Sequence, residues 1–339
     1  MTENSPLLDV LTREGVLASA SVRYWRAARK LRPEDLGLDP DDVTDRLISL
    51  GHKRLLPRDA LKGFALIESR THALIAASTF PFLNGIGRFL PNRRLADVAA
   101  RLGELESEFE SERDRFMAGY ARLRDQAIAE WRVAAKKLSD DPERVVAGVL
   151  DAFPSPDRMA RHYGFSASFY QIRLPETLET ELVEAKDREN IVMARRQAAE
   201  AARRKISAGV EDFVGDCVTT LREQTARLCQ EMLESFSTGK TGCHQRTLNR
   251  LADFIGRFKE LNFAGDAELE AHLDSIRRKF LSAPAEEYRD SGFAMSKLRQ
   301  GVEGLAKAAR EMAEADTREI VERFGSMGTR RFSLESKAA

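Results

Sequence analysis

The sequence predicts a mainly α-helical fold built on two long amphipathic helices, and three observations predict it. From Glu176 to Phe236 the chain has no proline and two glycines, Gly209 and Gly215, while apolar residues recur at helical spacing. A second stretch of this kind, Leu95 to Leu138, precedes it. Leu, Ala, Glu, Lys and Arg dominate the composition and aromatic residues make up 7%, a balance that favours helix over sheet. The expected architecture is an elongated, coiled-coil-like antiparallel pair of long helices, with shorter packed helices and a small N-terminal β-hairpin. Its divisions are a mixed helical region with short strands over 1–92 and the long helical hairpin over 93–238, with a connector at 139–175. A C-terminal helical bundle over 239–325 and a flexible tail over 326–339 complete it.

Within the first region, apolar residues alternate over Val16, Ala18, Ala20, Val22 and Tyr24, as in a short strand. Arg26 to Leu31 reads as helix-like. A short helix is expected over Asp41–Leu50, with Gly51 suited to its C-cap. Pro57 opens the next helix, because its missing N–H falls where that donor has no partner anyway. That helix ends near Ser78 and buries Leu61, Phe64, Leu74 and Ile75. Phe80 to Pro91 reads as two extended pieces around Asn84-Gly85, a dipeptide that tolerates the positive φ angles of tight hairpins. Residues 15–25 and 80–90 together make a small sheet.

The first long helix carries Leu95, Val98, Leu102, Leu105 and Phe109 in a 3-4-3-4 seam, which resumes at Phe116, Tyr120, Leu123, Ala127 and Trp131. Prolines break residues 139–175, leaving a short helix over Pro142–Asp151. The second long helix has its stripe through Leu178, Leu182, Val192, Ala199, Ile206, Val210, Phe213, Cys217, Leu221, Leu228 and Met232. Shorter helices follow over 244–261, after an N-cap at Asp266, and from Ser291 to Phe324.

Charge patterning suggests a register for the long pair. Glu104 to Asp114 holds six acids and one arginine, and Arg195 to Lys205 holds five bases and one acid. With Leu138 near Glu176, facing residues sum to about 314, as the compact connector of an antiparallel pair implies. That sets Glu104, Glu108 and Glu110 against Arg196, Arg203 and Arg204, a flanking-charge arrangement that fixes orientation in coiled coils.

Composition narrows the function. With 339 residues, 42% of them hydrophobic, the chain can fill a core. Its 54 basic residues cancel its 54 acidic ones, so net charge selects no partner and a nucleic-acid site has to be local. The three cysteines are far apart with no CxxC, which suggests free thiols in a reducing compartment. Met1 to Asp9 lacks a signal-peptide pattern and no apolar run approaches a membrane span, so a cytoplasmic protein without membrane contact is expected.

Chemical motifs are few. Gly239-Lys240-Thr241 resembles part of a phosphate loop, but Glu234 stands where its first glycine belongs and a helix precedes it, so a helix end is the expected reading. None of the five histidines follows a glutamate by three positions, which argues against a di-iron bundle. No Gly-x-Ser-x-Gly elbow occurs. No catalytic, cofactor-binding or metal-binding residue is assigned, and the chain is expected not to be an enzyme. The candidate contacts for nucleic acid or a partner are Arg23, Trp25, Arg26, Arg29 and Lys30, and Arg88, Arg93 and Arg94 around Phe89. Arginine among aromatics can bind phosphate and stack bases. The competing expectation is a solvated face with Trp25 and Phe89 in the core.

Three segments carry a family resemblance: Leu50-Gly51-His52-Lys53-Arg54-Leu55-Leu56-Pro57, Phe82 to Pro91, and Thr247-Leu248-Asn249-Arg250-Leu251 leading to Leu261-Asn262-Phe263-Ala264-Gly265-Asp266. Over about residues 10–325 the chain resembles a bacterial and phage domain-of-unknown-function family. Its members are often encoded beside a MoxR-type AAA+ ATPase, resembling the cobalt-chelatase motor, and a von Willebrand A-domain protein. The resemblance implies a helical accessory subunit working with such an ATPase, in phage defence or on a mobile element, and it carries over no catalytic residue. The expected function is therefore a non-enzymatic scaffold or adaptor, with the ATPase and the von Willebrand protein as partners. A nucleic-acid-binding component is the alternative. A second copy of the chain is a further candidate partner, because the apolar seams can pair within one chain or between two.

Overall fold

The computed structural model describes residues 6–36, 50–85, 87–172, 188–238 and 243–335. Helix dominates these residues and a small antiparallel sheet accompanies it, as the sequence predicts. The chain divides into two compact units, each assembled from separate stretches. The first comprises Met1–Ala18, Ser78–Ala96 and Phe169–Ala339; the second comprises Ser19–Ala77 and Asp97–Ser168.

In the first unit, α1 (Pro6–Glu14) leads into β1 (Gly15–Arg23), whose opening residues pair antiparallel with β5 (Gly87–Pro91) from Gly15↔Pro91 to Ala18↔Arg88. A 3-10 turn over Leu83–Gly85 folds β5 back on β4 (Phe80–Phe82), with Phe80 opposite Phe89. This is the predicted hairpin, placed in the predicted sheet. The long helix α6 (Arg188–Thr238) buries Val210, Phe213, Cys217, Leu221, Leu228 and Met232, the predicted stripe. It packs mainly on α10 (Gly292–Glu314), which presents Leu298, Val302, Leu305 and Ala309 at helical spacing. α7 (Gln245–Leu261), α8 (Ala267–Phe280), α9 (Ala285–Asp290) and α11 (Arg318–Glu335) close around this pair. Phe80, Phe89, Phe213, Phe263 and Phe324 meet in an aromatic cluster at its centre.

A buried polar knot ties these helices. Asp266 N-caps α8 by accepting from the Leu269 N–H, as predicted, and its other carboxylate oxygen accepts from Arg222 Nε at 2.7 Å. Arg222 also donates to the carbonyl of Met312, and Asn262 Oδ1 accepts from the Asp266 N–H. The Arg222 and Asp266 side chains are only 5% and 2% exposed. Gly265, at φ +77°, makes the left-handed turn that brings Asn262 and Asp266 together, a conformation a side chain resists.

The second unit is built on α2 (Lys62–Ser78) and α3 (Asn92–Leu138), within the divisions given above. The α3 seam is buried at Leu105, Phe109, Phe116, Tyr120 and Ala127. Within this unit its neighbours are Phe64 and Ile67 of α2, Trp25, and Tyr163. Phe64 stacks on Tyr24 and meets Phe109, Phe116 and Tyr163 edge-on or tilted. α4 (Pro142–Asp151), N-capped by Asp141, occupies the predicted residues. α5 (Pro156–Met159) follows it, and β6 (Gly164–Tyr170) lies beside the later part of β1.

Some expectations are corrected. Arg26 to Leu31 is not helical: Ala27 takes φ +47° and Ala28–Lys30 forms β2, paired with β3 (His52–Arg54). That strand depends on a partner more than twenty residues away, which local periodicity does not see. The single helix expected over Ser291–Phe324 is two, α10 and α11, broken at Ala315–Thr317. Helix continues to Glu335 where a flexible tail was expected, with Phe324 fully buried. α1 and β6 have no counterpart in the sequence reading. The helix expected over Asp41–Leu50 and the turn at Gly239–Gly242 fall on residues outside the described ones, and of Arg196, Arg203 and Arg204 only the helical backbone is described.

Candidate functional site

The basic residues singled out by sequence fall into two groups. In the second unit the pleat of the β2–β3 ribbon places Ala28, Lys30, His52 and Arg54 on one face, because Ala28 pairs with Arg54 and Lys30 with His52. That face borders a cleft of about 720 Å³ lined by Tyr24, Arg26, His52, Arg54 and Arg58 over an apolar floor of Leu56, Pro57 and Leu61. Among the described residues no carboxylate lines it. Arg26 is already committed. It makes a two-pronged ion pair with Glu68 at 2.6 and 2.9 Å, donates to the Tyr24 hydroxyl, and lies 4.0 Å over that ring. The Arg26 hydrogen bond holds the Glu68 carboxyl below its ordinary value. Among the described residues no carboxylate lies within ion-pair distance of Arg54 or Arg58, and both are exposed.

The remaining members of this group divide. Arg29 and Lys30 are exposed on β2, and the Arg23 guanidinium lies against Gly164. Trp25 is buried between Tyr120 and Phe153, so its ring is core. Sequence reasoning missed Arg54 and Arg58, which reach the cleft through a strand pairing it did not assign. Trp131 was read as seam. It is half-buried and donates its Nε1–H to the Arg54 carbonyl at 2.9 Å. Beside it a smaller groove of about 230 Å³ shares Arg54, Leu56 and Pro57 with the basic cleft and adds Ala127, Trp131 and Ala134.

In the first unit Arg88 sits half-buried on β5, while Arg93 donates to the Lys259 carbonyl at 3.2 Å. Arg94 is buried, bonded to Glu260 at 2.6 Å and to the Ser78 hydroxyl at 3.1 Å. Phe89 is fully buried. Arg93 and Arg94 therefore fasten α3's first turn to α7 and α2's end within that unit, and Phe89 presents no ring to solvent.

The first unit holds a cleft of opposite sign, about 950 Å³, lined by Glu211, Asp212, Asp216, Asp316 and Glu322 with Arg318. Among the described residues no group of three or more His, Cys, Asp or Glu side chains is disposed to hold a metal ion. The thiols are buried: Cys217 lies well above the ordinary value, Cys229 is pushed up to about 12 and Cys243 is raised, each chiefly by burial. Protonated and shielded, they are poor nucleophiles. Glu104 and Glu110 are exposed on α3, and Glu108 accepts two bonds from Arg70 at 2.5 and 3.1 Å. Among the described residues no helix is long and apolar enough to cross a membrane.

The family model described as "Protein of unknown function (DUF3150)" matches residues 12–295. No curated protein and no solved structure matches the chain.

Proposed function

The chain belongs to the family described as protein of unknown function (DUF3150), and we propose that it is a non-enzymatic helical scaffold or adaptor that binds protein partners. What supports this most is its exposed apolar side chains. Phe293 at the start of α10 is 72% exposed and Val133 on α3 is 62% exposed. Leu66 of α2 and Tyr170 of β6 also face water. Such side chains offer apolar contacts to a protein partner. The buried thiols fit the same reading, since the three cysteines serve the core.

The partners proposed are the MoxR-type AAA+ ATPase and the von Willebrand A-domain protein implied by the resemblance, in the cytoplasm of a bacterium, in phage defence or on a mobile element. Affinity purification of the tagged full chain from its native host tests this. Co-purification of the ATPase or the von Willebrand protein supports it. Recovery of nucleic acid without either protein replaces it with the alternative, a nucleic-acid-binding component.

A further inference from the structure

We propose that the basic cleft of the second unit is a docking site for an extended acidic segment of a protein partner, its carboxylates paired with Arg54 and Arg58. Three observations carry this. The cations lining the cleft have no carboxylate among them, and two guanidiniums lack an ion-pair partner among the described residues. A planar guanidinium binds carboxylate through two parallel hydrogen bonds, so two free forks select two acidic side chains. The floor of Leu56, Pro57 and Leu61 is apolar and runs on into the groove between Pro57 and Trp131, which takes an aliphatic side chain of the same segment.

The cleft is built rather than incidental. Trp131 fixes the Arg54 backbone from α3. Leu55 and Leu56, which lead into Pro57, are buried, and the Leu55 N–H bonds the Ala27 carbonyl at 2.7 Å. The side chains of Arg54 and Arg58 thus project from a rigid base, which lowers the ordering cost of binding.

A peptide fits better than a single-stranded nucleic acid. Sequence-tolerant strand binding needs exposed rings on which bases stack. Tyr24, which lines this cleft, is buried, stacked on Phe64 and covered by Arg26. Its hydroxyl is engaged by Arg26 and Glu68. Among the described lining residues the exposed ring is the His52 imidazole, a smaller surface than the run of rings on which successive bases stack.

This inference rests on the scaffold reading, and the experiment separates the two. Fluorescence anisotropy with the full chain compares three labelled probes: a short peptide of alternating Glu and Leu, its Gln and Leu counterpart, and a single-stranded DNA of similar length. The acidic peptide is expected to bind about tenfold more tightly than the neutral one, the combined effect of its two charge-assisted pairs. Arg54→Glu with Arg58→Glu abolishes that difference, and Arg54→Lys with Arg58→Lys keeps part of it. Equal binding of the two peptides, acidic-peptide binding indifferent to the Glu substitutions, or DNA binding that those substitutions abolish would each overturn the proposal. Both side chains are exposed, so helicity and Tm should match the parent; if the Glu variant does not fold, Arg54→Gln with Arg58→Gln reads the same loss. In the host purification, a Glu variant that still captures the ATPase sinks the cleft and leaves the scaffold standing. A parent chain that captures no protein sinks the scaffold itself.

Discussion

The two units differ in what occupies the centre of their cores. The first takes an ion pair into its core: Arg222 and Asp266 are out of water, Arg222 also donates to the Met312 carbonyl, and the Asp266 N–H donates to Asn262. The second keeps its core aromatic, around Phe64, and holds its pairs at its margin, with Arg70–Glu108 in solvent, Arg26–Glu68 partly covered and Lys53–Asp35 mostly covered. A buried pair contributes little net stability over an apolar pair of equal volume, but it is costly to break. A charge substitution at Arg222 should therefore cost the first unit most, and a cavity at Phe64 the second. Their clefts follow the same division, acidic in the first and basic in the second.

The chain carries a separate reporter for each unit. Its two tryptophans, Trp25 and Trp131, lie in the second unit, and its three cysteines lie in the first. The largest effect is expected from Arg222→Met, which leaves the Asp266 carboxylate buried without its partner and costs about 3–5 kcal/mol. Thiol labelling in urea should shift to lower denaturant by that amount while the tryptophan transition moves much less. If both reporters shift together, the units unfold as one and the comparison fails.

Phe64→Ala is the corresponding change in the second unit. It removes a ring in contact with four aromatic neighbours, Tyr24, Phe109, Phe116 and Tyr163. Large-to-small changes cost least where the surroundings collapse into the space, and neighbouring rings can tilt inward. We expect about 3 kcal/mol, at the low end for phenylalanine, read from the tryptophan transition with thiol protection largely kept.

Alkaline pH should separate the units by a smaller margin. The folded state of the first unit favours neutral thiols, so their contribution is fully present below the ordinary thiol value of 9.0. It is lost as pH rises from there toward about 12, the value for Cys229. In the second unit Tyr24, Tyr120 and Tyr163 are raised above 10.0, chiefly by burial, so the corresponding loss begins about one pH unit higher. Thiol exposure should therefore precede the tryptophan change as pH increases. The reverse order would show that the second unit's phenols are the more easily ionised.

What the sequence reveals follows the range over which each signal acts. α4 and the Asp266 cap depend on residues within one turn, and both appear where the sequence places them. The hairpin at Phe80–Pro91 is equally local. The α3 seam is correct as a buried stripe, but what fills it in the second unit is a set of rings from α2 and from residues 24–25 and 163. No periodicity records such partners. The cleft was half legible: Arg26 stood out beside aromatics, whereas Arg54 and Arg58 join it only because β3 pairs with β2. Trp25 was open to two readings, a stacking ring or a core residue, and in the structure it is core, between Tyr120 and Phe153.

The smallest expected effect decides between two partners for the acidic face of α3. In the structure Glu108 meets Arg70 of α2, with the side chains 46% and 48% exposed. Exposed pairs typically couple by about 0.2–1 kcal/mol. A double-mutant cycle of Glu108→Ala with Arg70→Ala should give about 0.5 kcal/mol, falling as salt rises. The charge-block register sets this face against Arg203 and Arg204 instead, with Glu110 near Arg204. A parallel cycle of Glu110→Ala with Arg204→Ala therefore reads the register alone, because Glu110 is exposed and Arg70 already holds Glu108. Coupling in the first cycle and additivity in the second would confine the acidic face to its own unit, leaving the base block of α6 to other work. Coupling in both would mean that the face is shared. Charge reversal at Glu108 and Glu110 would then be rescued only by reversing Arg70, Arg203 and Arg204 together.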